Sequence, residues 1–123
     1  MKDTNTNNRP LVLIVEDEDE IRISMRKSLK AHGYSVLEAV NCEEAVELAE
    51  RVSPALILTE EEVPTFYALT EHLRQHPTLR DVPLVIINPD AEDGARHYGA
   101  ILLADYDKLT HLLAHPQTFV KGE

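Results

Sequence analysis

The chain has 123 residues, of which 43% are hydrophobic, a length that suits one compact domain with its own core and is too short for two. The formal net charge is −10, and the 12 basic residues form no stripe, which excludes direct binding to nucleic acid. No apolar run approaches the roughly 20 residues of a membrane span, so we expect no membrane insertion.

Two kinds of segment alternate from residue 11 onward. Residues 1–10 are polar and are predicted to be disordered, and Leu11–Val15 then forms a continuous apolar run typical of a strand buried on both faces. The first helix has apolar residues at four-residue spacing and ends near Gly33. Those apolar residues are Ile21, Met25 and Leu29.

The rest of the chain repeats this alternation. Further strands are predicted at Ser35–Ala39, Ala55–Leu58, Pro83–Ile87 and Ala100–Ala104. A second helix, opened by Asn41 and Glu44 at capping-box spacing, has Ala45, Leu48, Ala49 and Val52 on one face. The remaining predicted helices are one with Phe66, Leu69 and Leu73 that stops near His76, a weak one at Asp90–Tyr98 interrupted by Gly94, and a short last one at Lys108–Ala114.

Strands that alternate with helices predict an α/β fold. The expected architecture is a doubly wound, five-stranded parallel sheet with helices on both faces, because right-handed crossovers place them there. We assign the domain to residues 11–114 and treat 115–123 as a C-terminal tail without clear periodicity.

Two acidic clusters directly follow buried strands: residues 16–20 after the first strand and residues 60–62 after the third. The carboxyl ends of strands in an open α/β sheet form the crevice where ligands bind, so Glu16, Asp17 and Glu60 are predicted to converge. Converging carboxylates repel, so one takes up a proton or a cation sits between them. We assign Glu18, Asp19 and Glu20 instead to the first turn of the first helix, where acidic residues are favoured.

The chain resembles the receiver domains of bacterial two-component response regulators. The similar segments are Leu11–Glu18, His32–Ala39, Ser53–Leu58 with Pro64, Arg80–Val85 and Gly99–Ala100. The resemblance implies a flavodoxin-like strand order, 2-1-3-4-5. It also implies signalling in the cytoplasm through a histidine kinase, an output domain or another signalling protein.

The chain departs from the family at its phosphorylation site. The resemblance places Glu60 where the family has its phospho-accepting aspartate, and Asn88 at the usual Ser or Thr after the fourth strand. Tyr106 stands at the family's lysine and Asp107 at the following proline, with Lys108 two residues beyond the lysine position. This altered set defines a degenerate phosphoacceptor pocket.

Each departure damages phosphoryl transfer. Glutamate carries its carboxylate about 1.5 Å further out than aspartate, and a misplacement of about 1 Å costs on the order of 10²-fold. Tyr106 carries no positive charge to stabilise the transferring group. We therefore expect a non-enzymatic, phosphorylation-independent interaction module. The alternative is a slow, Mg²⁺-dependent phosphoacceptor that uses an acidic residue of the pocket.

No cofactor is expected to be required. Oxygen ligands favour Mg²⁺, and the candidate ligands are Asp17, Glu60 and Glu62, at which we expect weak binding. Arg22, Arg26, Lys27 and Lys30 are interpreted as the solvated face of the first helix. Cys42, the single cysteine, is interpreted as a packed or surface residue in a reducing compartment.

Overall fold

The computed structural model describes residues 9–60, 66–97 and 99–114, and in this part of the chain one sheet carries helices on both faces. The strands are β1 (Leu11–Val15), β2 (Ser35–Ala39), β3 (Leu56–Thr59), β4 (Leu84–Ile87), β5 (Arg96–His97) and β6 (Ala100–Leu103). The helices are α1 (Asp19–Ala31), α2 (Cys42–Val52), α3 (Phe66–Gln75) and α4 (Asp107–Ala114), and a short 3₁₀ helix spans Leu79–Asp81.

The order of strands across the sheet is β2-β1-β3-β4-β6-β5. All neighbours are parallel except β5, which pairs antiparallel with β6 through Arg96 opposite Ile101 and His97 opposite Ala100. The five parallel strands therefore confirm the predicted order 2-1-3-4-5, with β6 as the fifth, and β5 is an addition at the sheet edge.

Alternation along β1 divides the core between the two faces of the sheet. Leu13 and Val15 belong to a cluster that includes residues of α2 and α3, whereas Val12 and Ile14 belong to a cluster with residues of α1 and α4. All four side chains are fully buried, as expected of a strand covered on both faces. Helices on both faces are thus confirmed.

Local capping explains where α2 begins. The Asn41 side chain accepts a hydrogen bond of 2.8 Å from the Glu44 amide, and the Glu44 carboxylate accepts one of 2.8 Å from the Val40 amide. Ala45 and Ala49 are buried as predicted for this helix, but Val52, the last residue of the helix, is 38% exposed. The predicted face of α2 is therefore correct only in its first turns.

The predicted helix over Asp90–Tyr98 is wrong in the part of this segment that the structure describes. The Asn88 side chain accepts a hydrogen bond from the Asp90 amide at 2.9 Å, which favours a turn. Further along, the Gly94 amide donates to the Leu102 carbonyl, and the Leu102 amide donates to the Ala95 carbonyl. Pairing with β6 therefore takes the backbone groups that a helix would need.

Several predictions concern residues outside the described ranges. They include the disordered start, of which residues 1–8 lie outside, and the tail at 115–123. Glu62 and Pro64 lie outside as well. Within the described ranges, no helix combines the length and the apolar character that a membrane crossing requires.

Candidate functional site

The pairing of β1 with β3 brings the two acidic clusters to the same end of the sheet. Val15 at the end of β1 lies opposite Thr59 at the end of β3. Glu16 and Glu60 are the next residues after this pair, one on each strand. The buried Thr59 hydroxyl donates a hydrogen bond of 3.1 Å to the Val15 carbonyl and ties the two strand ends together. Sequence analysis did not single out Thr59.

Glu16 is the buried acid of this site, with 2% of its surface exposed. One carboxylate oxygen, Oε2, accepts a hydrogen bond of 3.0 Å from the Glu18 amide. The other, Oε1, meets no hydrogen-bond donor among the described residues. An unpaired buried carboxylate oxygen is costly, which favours a proton or a cation at this position.

The pKa of the Glu16 carboxyl is raised from 4.5 to about 7. Burial is the largest cause, and the negative charges of Glu60 and Asp17 raise the pKa further, whereas the Glu18 amide lowers it. The effect of these charges indicates that Glu16, Asp17 and Glu60 lie close enough to interact. Asp17 is exposed and Glu60 is half-buried, so the cluster opens toward solvent.

Arg22 lies in the site, and its interpretation as part of a solvated face is wrong. Its guanidinium is only 14% exposed and donates to the Glu16 carbonyl at 2.9 Å. It also bonds the carboxylates of Glu38 on β2, at 3.2 Å, and of Asp19, at 2.5 Å. Arg26 shares Glu38 at 2.9 Å. The signal available in the sequence was Glu38, an acidic residue within a predicted strand.

Asn88 follows β4, and its side chain serves the local turn. Besides the bond from Asp90, its backbone amide donates to the Leu103 carbonyl at 2.8 Å, and its carbonyl accepts from the Ala91 amide at 2.9 Å. The amide oxygen of Asn88 is thus engaged within the β4–β5 connection.

Tyr106 stands where the resemblance places a lysine, and it is half-buried against α1. Its ring stacks on His32, with centroids 6.1 Å apart, and its hydroxyl interacts with Ser28. The pKa of Tyr106 is raised, first by burial and then by the charge of Glu60, although the Ser28 bond lowers it. Tyr106 therefore lies within the electrostatic reach of Glu60 but brings no cation.

Lys108, in the first turn of α4, forms an ion pair with Asp93. Its ammonium lies 3.1 Å from the carboxylate of Asp93, whose second oxygen accepts a bond of 2.7 Å from the Ala104 amide. These two contacts lower the pKa of Asp93, with the Ala104 amide as the first cause. Lys108 thus fastens the β4–β5 connection to α4.

The oxygen atoms of this site are of the kind that binds Mg²⁺, because they belong to carboxylates. One of them, Glu16 Oε1, is buried and accepts no hydrogen bond from the described residues. They do not form a complete set: no group of three or more His, Cys, Asp or Glu side chains among the described residues is arranged to hold a metal ion. The predicted ligands Asp17 and Glu60 are at the same strand ends, and Glu62 lies outside the described ranges.

Comparisons with known proteins give the fold and family context. Residues 12–104 match the response regulator receiver domain family. The protein-glutamate methylesterase/protein-glutamine glutaminase of Treponema pallidum is 37% identical over 99 residues, which are 78% of this chain and 24% of that protein. The chain spans a quarter or less of the length of the first curated relatives that it matches.

Solved structures show the same fold. The receiver domain of a signal transduction histidine kinase from Syntrophus aciditrophicus superposes with a TM-score of 0.67 at 25% identity, covering 93% of this chain and 94% of that one. The receiver domain of a sensor histidine kinase from Pseudomonas aeruginosa, with a magnesium ion coordinated in its active site cleft, gives 0.68 at 24% identity and covers 93% of this chain and 99% of that one.

Proposed function

Because the chain belongs to the response regulator receiver domain family, and so to two-component signalling, we propose that it is an atypical receiver that binds protein partners without being switched by phosphorylation. The observation that carries this proposal is the placement of Tyr106. At the lysine position the chain has a phenol ring stacked on His32.

Loss of the lysine matters because phosphoryl transfer depends on cations aimed at the charge that develops on the transferring group. Lys108 is held by Asp93 at 3.1 Å, so its ammonium already has an anionic partner away from β3. Arg22, the cation nearest to Glu16, is engaged by a carbonyl and two carboxylates. These contacts support a site that cannot respond to phosphate as other members of the family do.

The contacts of Asn88 also support the proposal that phosphorylation does not switch this chain. A receiver that changes state needs a group that contacts the phosphoryl group in one state and not in the other. The Asn88 amide oxygen is engaged by the Asp90 amide within its own turn. We therefore propose one dominant conformation.

The test is the intact mass of the whole chain after incubation with acetyl phosphate and Mg²⁺. The proposal predicts an unmodified mass under conditions that phosphorylate an ordinary receiver run beside it. A stoichiometric gain of one phosphoryl group, mapped to Glu60 or a neighbouring acid, would overturn it.

That second outcome corresponds to a second candidate function, a slow, Mg²⁺-dependent phosphoacceptor. One observation favours it: Glu16 Oε1 is buried with no donor among the described residues, and the pKa of Glu16 is raised by burial and by nearby negative charge. A cation at this position would relieve both effects. We rank this function second because the carboxylates do not converge as a metal-binding group among the described residues.

The remaining assignments are part of the same proposal. We propose a receiver-like domain at residues 11–114, a location in the cytoplasm, and weak Mg²⁺ binding that is not required for function. The partner would be a histidine kinase, an output domain or another signalling protein, and binding would be non-enzymatic. Glu60 would contribute a fixed charge to an otherwise inert pocket.

A further inference from the structure

A second concave site lies away from the acidic pocket, beside the amino-terminal end of β4. It is a groove of about 500 Å³ between α3, the 3₁₀ helix and the β5–β6 edge. Its apolar lining includes Leu73, Val82 and Pro83. A volume of this size is typical of a site that receives a ligand or a few side chains.

Three arginines surround this lining: Arg74 from α3, Arg80 from the 3₁₀ helix and Arg96 from β5. They are three of the 12 basic residues in a chain with 22 acidic ones, so one small region holds a quarter of the positive charge. The groove, whose lining includes these three arginines and the three apolar residues above, is called the arginine groove below. It stands out because the chain as a whole repels anions.

The fold explains why three separate elements can meet here. The connection from β4 to β6 contains no helix among its described residues, and β5 lies at the sheet edge instead. At the β5–β6 turn, Gly99 has a φ of +91° and no side chain. A methyl group placed there would stand 3.8 Å from the Arg74 guanidinium, so Arg74 extends across the groove to this turn.

Asp81 lines the groove, and Glu71 lies 3.6 Å from Arg74 in a pair whose members are 57% and 61% exposed. An exposed pair of this kind is worth little, so an incoming carboxylate can replace Glu71 as the partner of Arg74. The guanidinium fork also binds a carboxylate in a bidentate manner, which gives direction as well as charge.

We propose that the arginine groove binds an acidic segment of a partner protein that also carries apolar side chains. Charge complementarity favours an acidic segment, since three guanidinium groups meet at one groove of a chain whose net charge is −10. The apolar lining would receive the aliphatic side chains between the acidic ones. This inference rests on the proposed function, because it names the surface and the chemistry of the proposed protein interaction.

The experiment uses the whole ¹⁵N-labelled chain at low salt and an acetylated, amidated peptide, Gly-Glu-Leu-Glu-Glu-Leu-Gly. We expect saturable amide shifts clustered at Leu73, Arg74, Arg96 and Gly99, with a Kd at or below about 1 mM. The same peptide with lysine for glutamate should cause no clustered shifts, and the peptide with serine for leucine should bind at least about threefold more weakly.

Variants locate the effect. Arg74→Gln and Arg80→Gln should each weaken binding about threefold or more, since each removes a charged partner of the peptide. Arg51→Gln is the matched control: Arg51 is an exposed arginine on α2, paired with Glu47, and its loss should leave affinity unchanged. The absence of clustered shifts at about 1 mM peptide, or equal weakening by Arg51→Gln, overturns the inference.

The outcome of the peptide experiment can be distinguished from the outcome of the phosphorylation test of the proposed function. The same samples can be treated with acetyl phosphate and Mg²⁺, and their intact mass can then be measured. An unmodified chain that ignores the acidic peptide means that the groove inference fails while the proposed function stands. A phosphorylated chain that binds the peptide means the reverse.

Discussion

The Lys108 ammonium lies 3.1 Å from the Asp93 carboxylate, an ion pair that joins α4 to the connection between β4 and β5. This pair spans the elements on either side of β6. The pair gives a structural role to Lys108, the one lysine near the position of the family's lysine. Under the proposed function, phosphorylation would therefore need a lysine at position 106, because the ammonium of Lys108 is already paired.

A restoration experiment follows from this pair. Glu60→Asp alone should stay unmodified by acetyl phosphate and Mg²⁺, because the carboxylate is repositioned but no cation is supplied. Glu60→Asp combined with Tyr106→Lys should be phosphorylated at least about tenfold faster than the single variant, as expected when a charge-stabilising group is returned. Intact mass against time measures both.

Adding Lys108→Met to the double variant is the control. It should leave the phosphorylation rate unchanged apart from any loss of stability, since the Lys108 ammonium pairs with Asp93. If Glu60→Asp alone is phosphorylated, the missing cation is not what prevents the reaction.

Glu16 gives a pH-dependent prediction. Its folded pKa of about 7 lies above the ordinary value of 4.5, so the folded state is penalised as pH rises from about 4.5 through 7, and the penalty is complete above that range. Glu16→Gln should raise the free energy of unfolding at pH 8 by on the order of 1 to 3 kcal/mol and have little effect at pH 4.

Urea denaturation at both pH values measures this effect. Glu92→Gln, a substitution at an exposed glutamate, is the matched control and should change neither curve. Destabilisation of the Glu16→Gln variant at pH 8 would mean that the buried carboxylate is compensated by a partner.

The coupling between Glu16 and Glu60 can be measured directly. Because the charge of Glu60 helps to raise the pKa of Glu16, Glu60→Gln should lower it. A ¹³C titration of the Glu16 carboxyl in both proteins reports the difference. An unchanged titration midpoint would mean that Glu60 points away from the site.

Arg22 and Arg26 form a natural pair for comparison. Both bond Glu38, but Arg22 is 14% exposed and also holds the Glu16 carbonyl and Asp19, whereas Arg26 is 36% exposed. Arg22→Gln should lower the denaturation midpoint clearly more than Arg26→Gln does, because it also removes the donor to the partly buried Glu16 carbonyl. Equal midpoints would mean that the additional contacts of Arg22 add no stability beyond that of the more exposed Arg26.

The sequence predicted the five parallel strands and the strand order because buried strands are continuous apolar runs such as Leu11–Val15, and their pairing follows from the chain order of the elements. It also predicted that Glu16 and Glu60 follow paired strands. These features depend on local pattern and on general rules of α/β topology.

The parts that could not be predicted depend on contacts between distant segments. The helix predicted over Asp90–Tyr98 is replaced by turns and by β5, because β6 supplies backbone partners through Leu102. Arg22 was misplaced because its partner Glu38 lies 16 residues away. Lys108 pairs with Asp93, a contact that spacing along α4 does not reveal.

The most direct test of the account is the amide spectrum of the whole chain recorded before and after addition of acetyl phosphate and Mg²⁺. Under the proposed function, neither position 106, which has no cation, nor Asn88, which is engaged in its own turn, supplies a contact that differs between two states. We predict that the amide signals of β4, β6 and α4 do not move. Widespread shifts across these elements on adding acetyl phosphate, absent with Mg²⁺ alone, would contradict the account.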